Sequence, residues 1–455
     1  MLEIAGARLL APYFGASIYV WTAMIGVILA ALSLGYWYGG KIADKDNPKK
    51  DLSLILSVAA ILVAAMTILH KPILELIASG NLDLRLSAVI AALVLFSIPS
   101  ALIGMVSPHL AKIRVDSLDT SGAKIGRLEA SSAIGSIVGT FAAGYFLLAY
   151  FGSRDLTVFI AIILLLTSFL ADRRRFVLFR IIAILIITAL LLIDTSSPMI
   201  ILDKDTSYAR YQVEQRLYQG KTTNLLKMDA GGIQSAYYVD EPKLPVLTYA
   251  KQIMDVLSDI DELDSVLVIG GGAHTIPTYI HEQYPESTIQ VVEIDPALDE
   301  IAGEYFGFKQ NDKTNISYED GRTFLNKNRV KYDVIIIDAY SFLTPPFQVS
   351  SLEAVQKIYD SLSADGLVMV NVASRSNHLM LSSLNETYRE VFSNVFVYKT
   401  DPSYPDNIDQ NYILYASNSR EYEEVTGNIL GESYSVPSVG FLLTDDFAPV
   451  ERLNY

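Results

Sequence analysis

The chain has 455 residues, a net charge of −15 and no cysteine, and 51% of its residues are hydrophobic, with a mean hydropathy of +0.32. That length allows two or three domains. The acidic balance argues against a general nucleic-acid-binding surface, the missing thiols exclude disulfides, thiolate metal sites and cysteine catalysis, and the hydropathy is high for a soluble enzyme.

The long apolar runs lie almost entirely before Asp194. The first, MLEIAGARLLAPYFG (residues 1–15), is of half length and carries Glu3 and Arg8, which speaks against a cleavable signal peptide. It suits a short or re-entrant helix, or the remainder of a span. Charges at a membrane edge are functional candidates by default; an interfacial anchor or an ion pair is the plainer alternative. Residues 18–38, 52–69, 86–106, 130–151, 156–171 and 177–193 follow, apolar throughout and, in the last, interrupted only by Arg180. Each is long enough, or nearly so, to cross a hydrocarbon core of about 30 Å, and only helices satisfy their own backbone there. Residues 1–195 are therefore expected to form a transmembrane helical domain of six full spans plus an N-terminal half span. Ser131, Gly135, Gly139 and Ala143 recur every fourth residue, as in close helix packing.

Lys41, Lys45, Lys49 and Lys50 follow the first full span, Lys112, Arg114, Lys124 and Arg127 the third, and Arg173, Arg174 and Arg175 the fifth. The alternate loops carry only Lys71, Arg85 and Arg154. The positive-inside rule places the three basic loops in the cytoplasm of a cell membrane. Six spans would then lead the rest of the chain outside, unless the span count is off by one.

After the boundary the pattern changes. Residues 203–240 alternate polar and apolar, which predicts two or three antiparallel strands within a small β-strand domain, 196–245. Residues 247–257 predict a helix. From Val266, strands and helices alternate, the mark of a parallel, doubly wound sheet over 246–455. DSVLVIGGG (264–272) is a strand ending in three glycines, which let a backbone approach a ligand closely. QVVEIDP (290–296) is a second strand ending in acids, the order of a nucleotide-binding βαβ unit. ISYEDG (316–321) follows, then YDVIIID (332–338), a buried-strand pattern closed by a carboxylate. Residues 352–361 and 379–391 predict helices, 367–372 a strand, and 395–399 with 410–415 the strands that close the sheet.

The series GGG…VEID…DG…DVIIxD resembles the class I methyltransferase-like (Rossmann-like) fold, specifically the spermidine synthase, or aminopropyltransferase, family. SYARYQ (207–212) looks like that family's S-x-YQ strand, and Ile233-Gln234 with Asp240-Glu241 like its IQ…DE hairpin. In the first half, residues 40–44 match the G-x-[IL]-A-D loop of major facilitator transporters. With MLEIAGARLLAPYFG and the closing LTDDFAPVER (443–452), the whole chain resembles proteins described as a facilitator-like membrane domain fused to a spermidine synthase.

The resemblance implies a fold, a reaction and a set of roles. A membrane-anchored transferase would move an aminopropyl group from decarboxylated S-adenosylmethionine, as co-substrate, to a small amine, with no prosthetic group and no metal. Asp338 would accept the proton of the attacking amine. Glu293 would hold the ribose diol, Asp320 and Gly321 the adenine, and Gln212 the nucleoside from the β-domain. Gly270, Gly271 and Gly272 would pass beneath the thioadenosine. The lipid bilayer and a second copy, joined through the soluble domain, are the implied partners. Each acid also has a plainer reading as a strand-end or helix-cap carboxylate.

Three positions depart from the family. Its GGGDGG is GGG-Ala273-His274 here, removing an acid that helps hold the aminopropyl charge. Its D-x-x-D-P is Asp338-Ala-Tyr-Ser341-Phe, so the second, amine-binding acid is Ser341. Its Y-[HQ]-E segment after "DE" gives way to PKLPVL (242–247). His274 could replace an acid only as a neutral acceptor. Two further functions stay open on these residues: an S-adenosylmethionine-dependent methyltransferase, and a non-catalytic binding or assembly module.

Overall fold

The computed structural model describes the chain except residues 16, 46, 81, 116, 174–175, 193–197, 230–231, 341–344, 375–376, 407, 420 and 454–455. Ser341, the residue standing for the second acid, and the expected 195/196 domain boundary lie outside the described residues. The chain divides into two compact units, residues 1–197 with 203–210, and 198–202 with 211–455.

The first unit is helical. α1 (Leu2–Phe14) buries Ala5, Leu9, Leu10 and Phe14. Thirteen residues span only about 20 Å, so α1 is a core element packed against α2, α4 and α7 rather than a crossing helix. α2 (Ile18–Ala43) and α3 (Pro48–Ala78) follow. α4 (Leu84–Gly104) breaks at Met105 and continues as α5 (Val106–Arg114). α6 (Ser121–Ala142) runs through a π-helical turn into α7 (Leu148–Ala171). Five helices are long and apolar enough to cross a membrane: residues 18–43, 48–78, 84–114, 121–147 and 150–171. The sixth expected span is α8 (Val177–Leu192), shorter than these and about 24 Å long. The small-residue stripe packs inside the unit only at Gly139 and Ala143; Ser131 and Gly135 are exposed.

Two arginines have plain structural work. Arg180, 6% exposed, donates to Ser53 Oγ (2.8 Å) and to the carbonyls of Ser168 (2.9 Å), Asp172 and Arg173 (3.3 Å). Those carbonyls lie at and just beyond the C-terminal end of α7, where Asp172 N also donates to Ser168 O (3.3 Å), so the cation sits at the helix's negative pole and ties α8 to α7 and α3. Arg8 donates to the carbonyls of Thr206 (3.3 Å), Ser207 (2.6 Å) and Tyr208 (2.8 Å). At the same end of the unit Gly152 has φ 76°, which interrupts α7, and the Asp205 carboxylate accepts from Ser153 N (2.8 Å) and Oγ (3.0 Å), capping the helix where it restarts. These contacts hold residues 203–210 in the first unit.

The second unit is α/β. β1 (Ile200–Asp205), β2 (Arg210–Tyr218), β3 (Lys221–Met228) and β4 (Ile233–Tyr238) form a four-stranded sheet in that order. α9 (Thr248–Leu257) leads to β5 (Ser265–Ile269), α10 (Thr275–Gln283), β6 (Thr288–Glu293), α11 (Ala297–Tyr305), β7 (Thr314–Tyr318), α12 (Gly321–Lys327) and β8 (Tyr332–Ile337). α13 (Phe347–Ser350), α14 (Leu352–Asp360), β9 (Leu362–Ser374), α15 (Leu379–Arg389), β10 (Asn394–Lys399), β11 (Gln410–Ser417), α16 (Glu421–Leu430) and α17 (Val450–Leu453) complete it. The seven strands are ordered β7-β6-β5-β8-β9-β11-β10. Pairing is parallel from β7 to β9 and antiparallel for β11 against both neighbours. This is the Rossmann-like methyltransferase fold. β5, β6, β8 and β9 are buried on both faces, as a sheet covered by helices requires. β6 and β8 flank β5 on opposite sides, so the strand order reverses there, and ligands of such sheets lie beyond the strand ends at that reversal.

Candidate active site

The reversal point brings together segments far apart in sequence. Gly270 leaves β5 with φ 94°, and a Cβ there would sit 2.3 Å from the Asp338 carbonyl oxygen at the end of β8. Only glycine lets the two strand ends come this close. Asp338 N donates to Ile269 O (2.8 Å), continuing the ladder to the site's edge.

Glu293, 6% exposed at the end of β6, bonds to this turn. Its Oε2 accepts from Gly271 N (2.9 Å) and Gly272 N (3.1 Å), and its Oε1 from Asp295 N (3.0 Å). Burial pushes its carboxyl above the usual range, and the three N–H donors offset that only partly. Ala273 N donates to Ser235 Oγ (3.1 Å) on β4, so the four-stranded sheet closes one side of the glycine turn. From β2, Tyr211 is buried with its hydroxyl bonded to Asp295. Burial, then the charges of Asp295 and Glu293, hold that phenol well above its ordinary range. Gln212 follows Tyr211 in the strand, opposite Lys227.

Asp338 lies across the turn. Asn371 Nδ2, on β9, donates to its Oδ1 at 2.8 Å. Tyr249, in the first turn of α9, also bonds its carboxyl and reaches Gln234 O (3.1 Å). Desolvation pushes Asp338 up to about 7, against the lowering bonds from Asn371 and Tyr249, with Glu293 adding repulsion. Its side chain is thus half-ionised near neutral pH and, among the described residues, is held by neutral donors. Tyr340 donates to Asn371 O and accepts from Ala373 N (2.7 Å), bracing the same strand end.

Asp320 caps α12: its Oδ1 accepts from Thr323 N at 3.0 Å. The helix-cap reading of this acid is therefore realised, with Gly321 beside it as the first helical residue. His274 sits in the left-handed region (φ 54°), fully buried, and its Nε2 bonds Asp299 Oδ1 at 2.7 Å. Asp299 in turn accepts from the Tyr318 hydroxyl. Nε2 is therefore committed to Asp299 on α11, while the ring's Nδ1 edge lies against the glycine turn, 2.6 Å from where a Cβ at Gly271 would sit. Among the described residues, no group of three or more His, Cys, Asp or Glu could hold a metal ion.

The sequence reading missed Tyr211, Ser235, Tyr249 and Asn371. Tyr249 had a signal. The segment 242–247 stands where the family has Y-[HQ]-E, and a tyrosine follows two residues later. Asn371 is a polar residue inside a strand otherwise buried and apolar, which marks it as partnered or functional. Nothing local pointed to Ser235.

The sequence pattern of the spermine/spermidine synthase domain matches residues 247–424. Residues 247–424 are a spermine/spermidine synthase domain. A probable polyamine aminopropyl transferase of Bifidobacterium longum is 30% identical over 223 residues, which cover 43% of this chain and 50% of that one. The eEF1A lysine and N-terminal methyltransferase homolog of Drosophila melanogaster is 29% identical over 203 residues, 43% of this chain and 27% of that one. The chain thus spans half or less of these two relatives. A crystal structure of a probable spermidine synthase from Corynebacterium glutamicum superposes with a TM-score of 0.48 at 22% identity, over 56% of this chain and 99% of that one. Within the synthase domain lie the glycine turn, Glu293, Asp320 and Asp338; Gln212, Tyr211 and Ser235 precede it.

Proposed function

We propose that the synthase domain is a membrane-anchored aminopropyltransferase acting on decarboxylated S-adenosylmethionine and a small amine. The observation that carries this reading is Asp338, a carboxyl pushed to about 7 beside the glycine turn and bonded by the neutral side chains of Asn371 and Tyr249. A base poised near the working pH is what proton removal from an amine needs. In the proposed step the acceptor nitrogen attacks the propyl carbon next to the sulfonium. The C–N bond forms as the C–S bond breaks, methylthioadenosine leaves uncharged, and the nitrogen's proton passes to Asp338. Glu293, Asp320, Gly321 and Gln212 hold the nucleoside, and Gly270, Gly271 and Gly272 lie beneath it. The acids of the site favour a cationic donor and acceptor.

Methyl transfer from S-adenosylmethionine is the second reading. It is favoured by Ala273, which offers no acid to an aminopropyl ammonium, and by the methyltransferase relatives. The leaving product separates the two. Purified full-length protein given decarboxylated S-adenosylmethionine with putrescine, spermidine or cadaverine is expected to release methylthioadenosine. S-adenosylhomocysteine formed from S-adenosylmethionine, with no methylthioadenosine, would establish the second reading. Neither product would leave a binding module.

Anchoring carries its own prediction. Residues 203–210 are held where Asp205 caps Ser153, some eighteen residues along α7 from the basic loop at Arg173, roughly 27 Å. With the basic loops in the cytoplasm, the chain leaves the helical unit on the outer side. Because the protein has no cysteine, Glu286→Cys, at a side chain 92% exposed, offers a single thiol. It is expected to react with a membrane-impermeant maleimide in intact cells. Labelling only after lysis would put the synthase domain in the cytoplasm.

A further inference from the structure

The closing stretch 443–452 takes no part in the chemistry proposed above, yet Asp445 is bonded into the framework of the nucleoside site. Its Oδ2 accepts from Arg322 Nη2 at 2.7 Å and its Oδ1 from Ser351 Oγ at 2.5 Å. Its backbone N donates to Glu353 Oε2 at 2.8 Å. Arg322 Nη1 also reaches Ser351 Oγ (3.2 Å) and Gln348 O (3.4 Å). The stretch is itself pinned, since Leu352 N donates to Leu443 O (2.8 Å) and Leu443 N to Thr387 Oγ1 (3.0 Å).

Arg322 is the second residue of α12, immediately after Asp320 and Gly321. A helix of seven residues does not hold itself in place. A cation in its first turn also faces the positive end of the helix dipole and opposes it. Asp445 supplies the compensating carboxylate from a distant part of the chain. The start of α12 has little room to adjust: a Cβ at Gly321 would lie 2.7 Å from Ile269 Cγ2, the last residue before the glycine turn, and 3.2 Å from Val349 Cγ1 on α13. A shift of α12 therefore moves Asp320 relative to the glycine turn.

We propose that Asp445 is a positioning residue for the adenosyl donor: through Arg322 and Ser351 it sets the start of α12, and with it Asp320, against the glycine turn. This rests on the adenosyl-donor reading. Asp445→Asn in the full-length protein is expected to weaken methylthioadenosine binding, and to raise the donor KM, by about tenfold, the loss of one charge-assisted bond. The acceptor KM and kcat stay near wild type, a split that general destabilisation would not produce. The exchanged pair Arg322→Asp with Asp445→Arg restores most of the affinity, and Asp446→Asn, next door and exposed, changes nothing. In hydrogen exchange, the amides of Thr323 and Phe324, both bonded to Asp320, lose protection in Asp445→Asn. Should Asp445→Asn fail to fold, Ser351→Ala, which leaves the ion pair in place, carries the same comparison. Wild-type affinity in the variant with unchanged Thr323 and Phe324 exchange overturns the proposal. A wild type that binds no adenosyl compound overturns the donor reading instead, and the exchange comparison alone then decides the anchoring of α12.

Discussion

Asp338→Asn is expected to slow turnover by about 10²- to 10⁴-fold, the usual cost of losing one positioned base. The amide keeps the shape and can still accept from Asn371 Nδ2, now 2.8 Å from Oδ1, but it cannot take a proton. Methylthioadenosine affinity should change little, because the residues proposed to hold the ribose and adenine lie at the end of β6 and the start of α12. The pH dependence follows from the same group. The carboxyl is raised from 3.8 to about 7, so wild-type kcat/KM falls tenfold per unit as pH drops below 7, and the residual rate of the variant lacks that limb. Stability shows the opposite sign. A carboxyl raised on folding binds its proton more tightly in the folded state, so its contribution is fully present below about 4 and is lost as pH rises towards 7. Asp338→Asn should therefore match wild type at pH 4 and exceed it at pH 8, by up to about 4 kcal/mol if the whole shift is realised. Chemical denaturation at the two pH values checks this. A variant turning over within a few-fold of wild type would remove Asp338 from the base role.

Glu293 separates binding from folding. Glu293→Ala should abolish the thermal shift caused by methylthioadenosine, which for a ligand at a hundred times its Kd amounts to about 2.7 kcal/mol of stabilisation. It should also weaken the empty protein, because Gly271 N, Gly272 N and Asp295 N lose their acceptor. Each buried N–H left without a partner costs about 1–3 kcal/mol. Glu293→Gln keeps an oxygen for the two glycines and removes a charge whose burial raises its pKa. It is therefore expected to stay folded at neutral pH and yet bind the nucleoside at least tenfold more weakly, having lost a charged partner for the ribose hydroxyls. Titration of both variants with methylthioadenosine, alongside their melting temperatures, tests the pair. Undiminished binding in Glu293→Gln would remove this residue from the nucleoside site.

Much of this protein was legible in its sequence because the signals are local. Apolar runs long enough to cross a membrane became α2, α3, α4 with α5, α6 and α7. Strand, glycine turn, helix and acid-ended strand became β5 to β6, and the spacing of the later runs foretold β8, β9 and the antiparallel β10–β11 pair. Chain-local patterns of period two and 3.6 carry this information, and each motif is written within a dozen residues. What the sequence could not settle depends on which strands become neighbours. β8 pairs with β5 across nearly seventy residues, and only that pairing sets Asp338 against Gly270 and buries it enough to bring its carboxyl to about 7. The same holds for Asn371 and Tyr249, chosen as its partners by the packing of β9 and α9, and for His274, whose Nε2 found Asp299 on α11. Arg8 read as a membrane-edge charge and Arg180 as the one interruption of the last apolar run; both became caps for carbonyls, Arg8 for those of residues 206–208, which no local pattern links to it. Proton affinity, hydrogen-bond partners and the use of a charge all depend on what surrounds a residue, and the tertiary fold decided those surroundings.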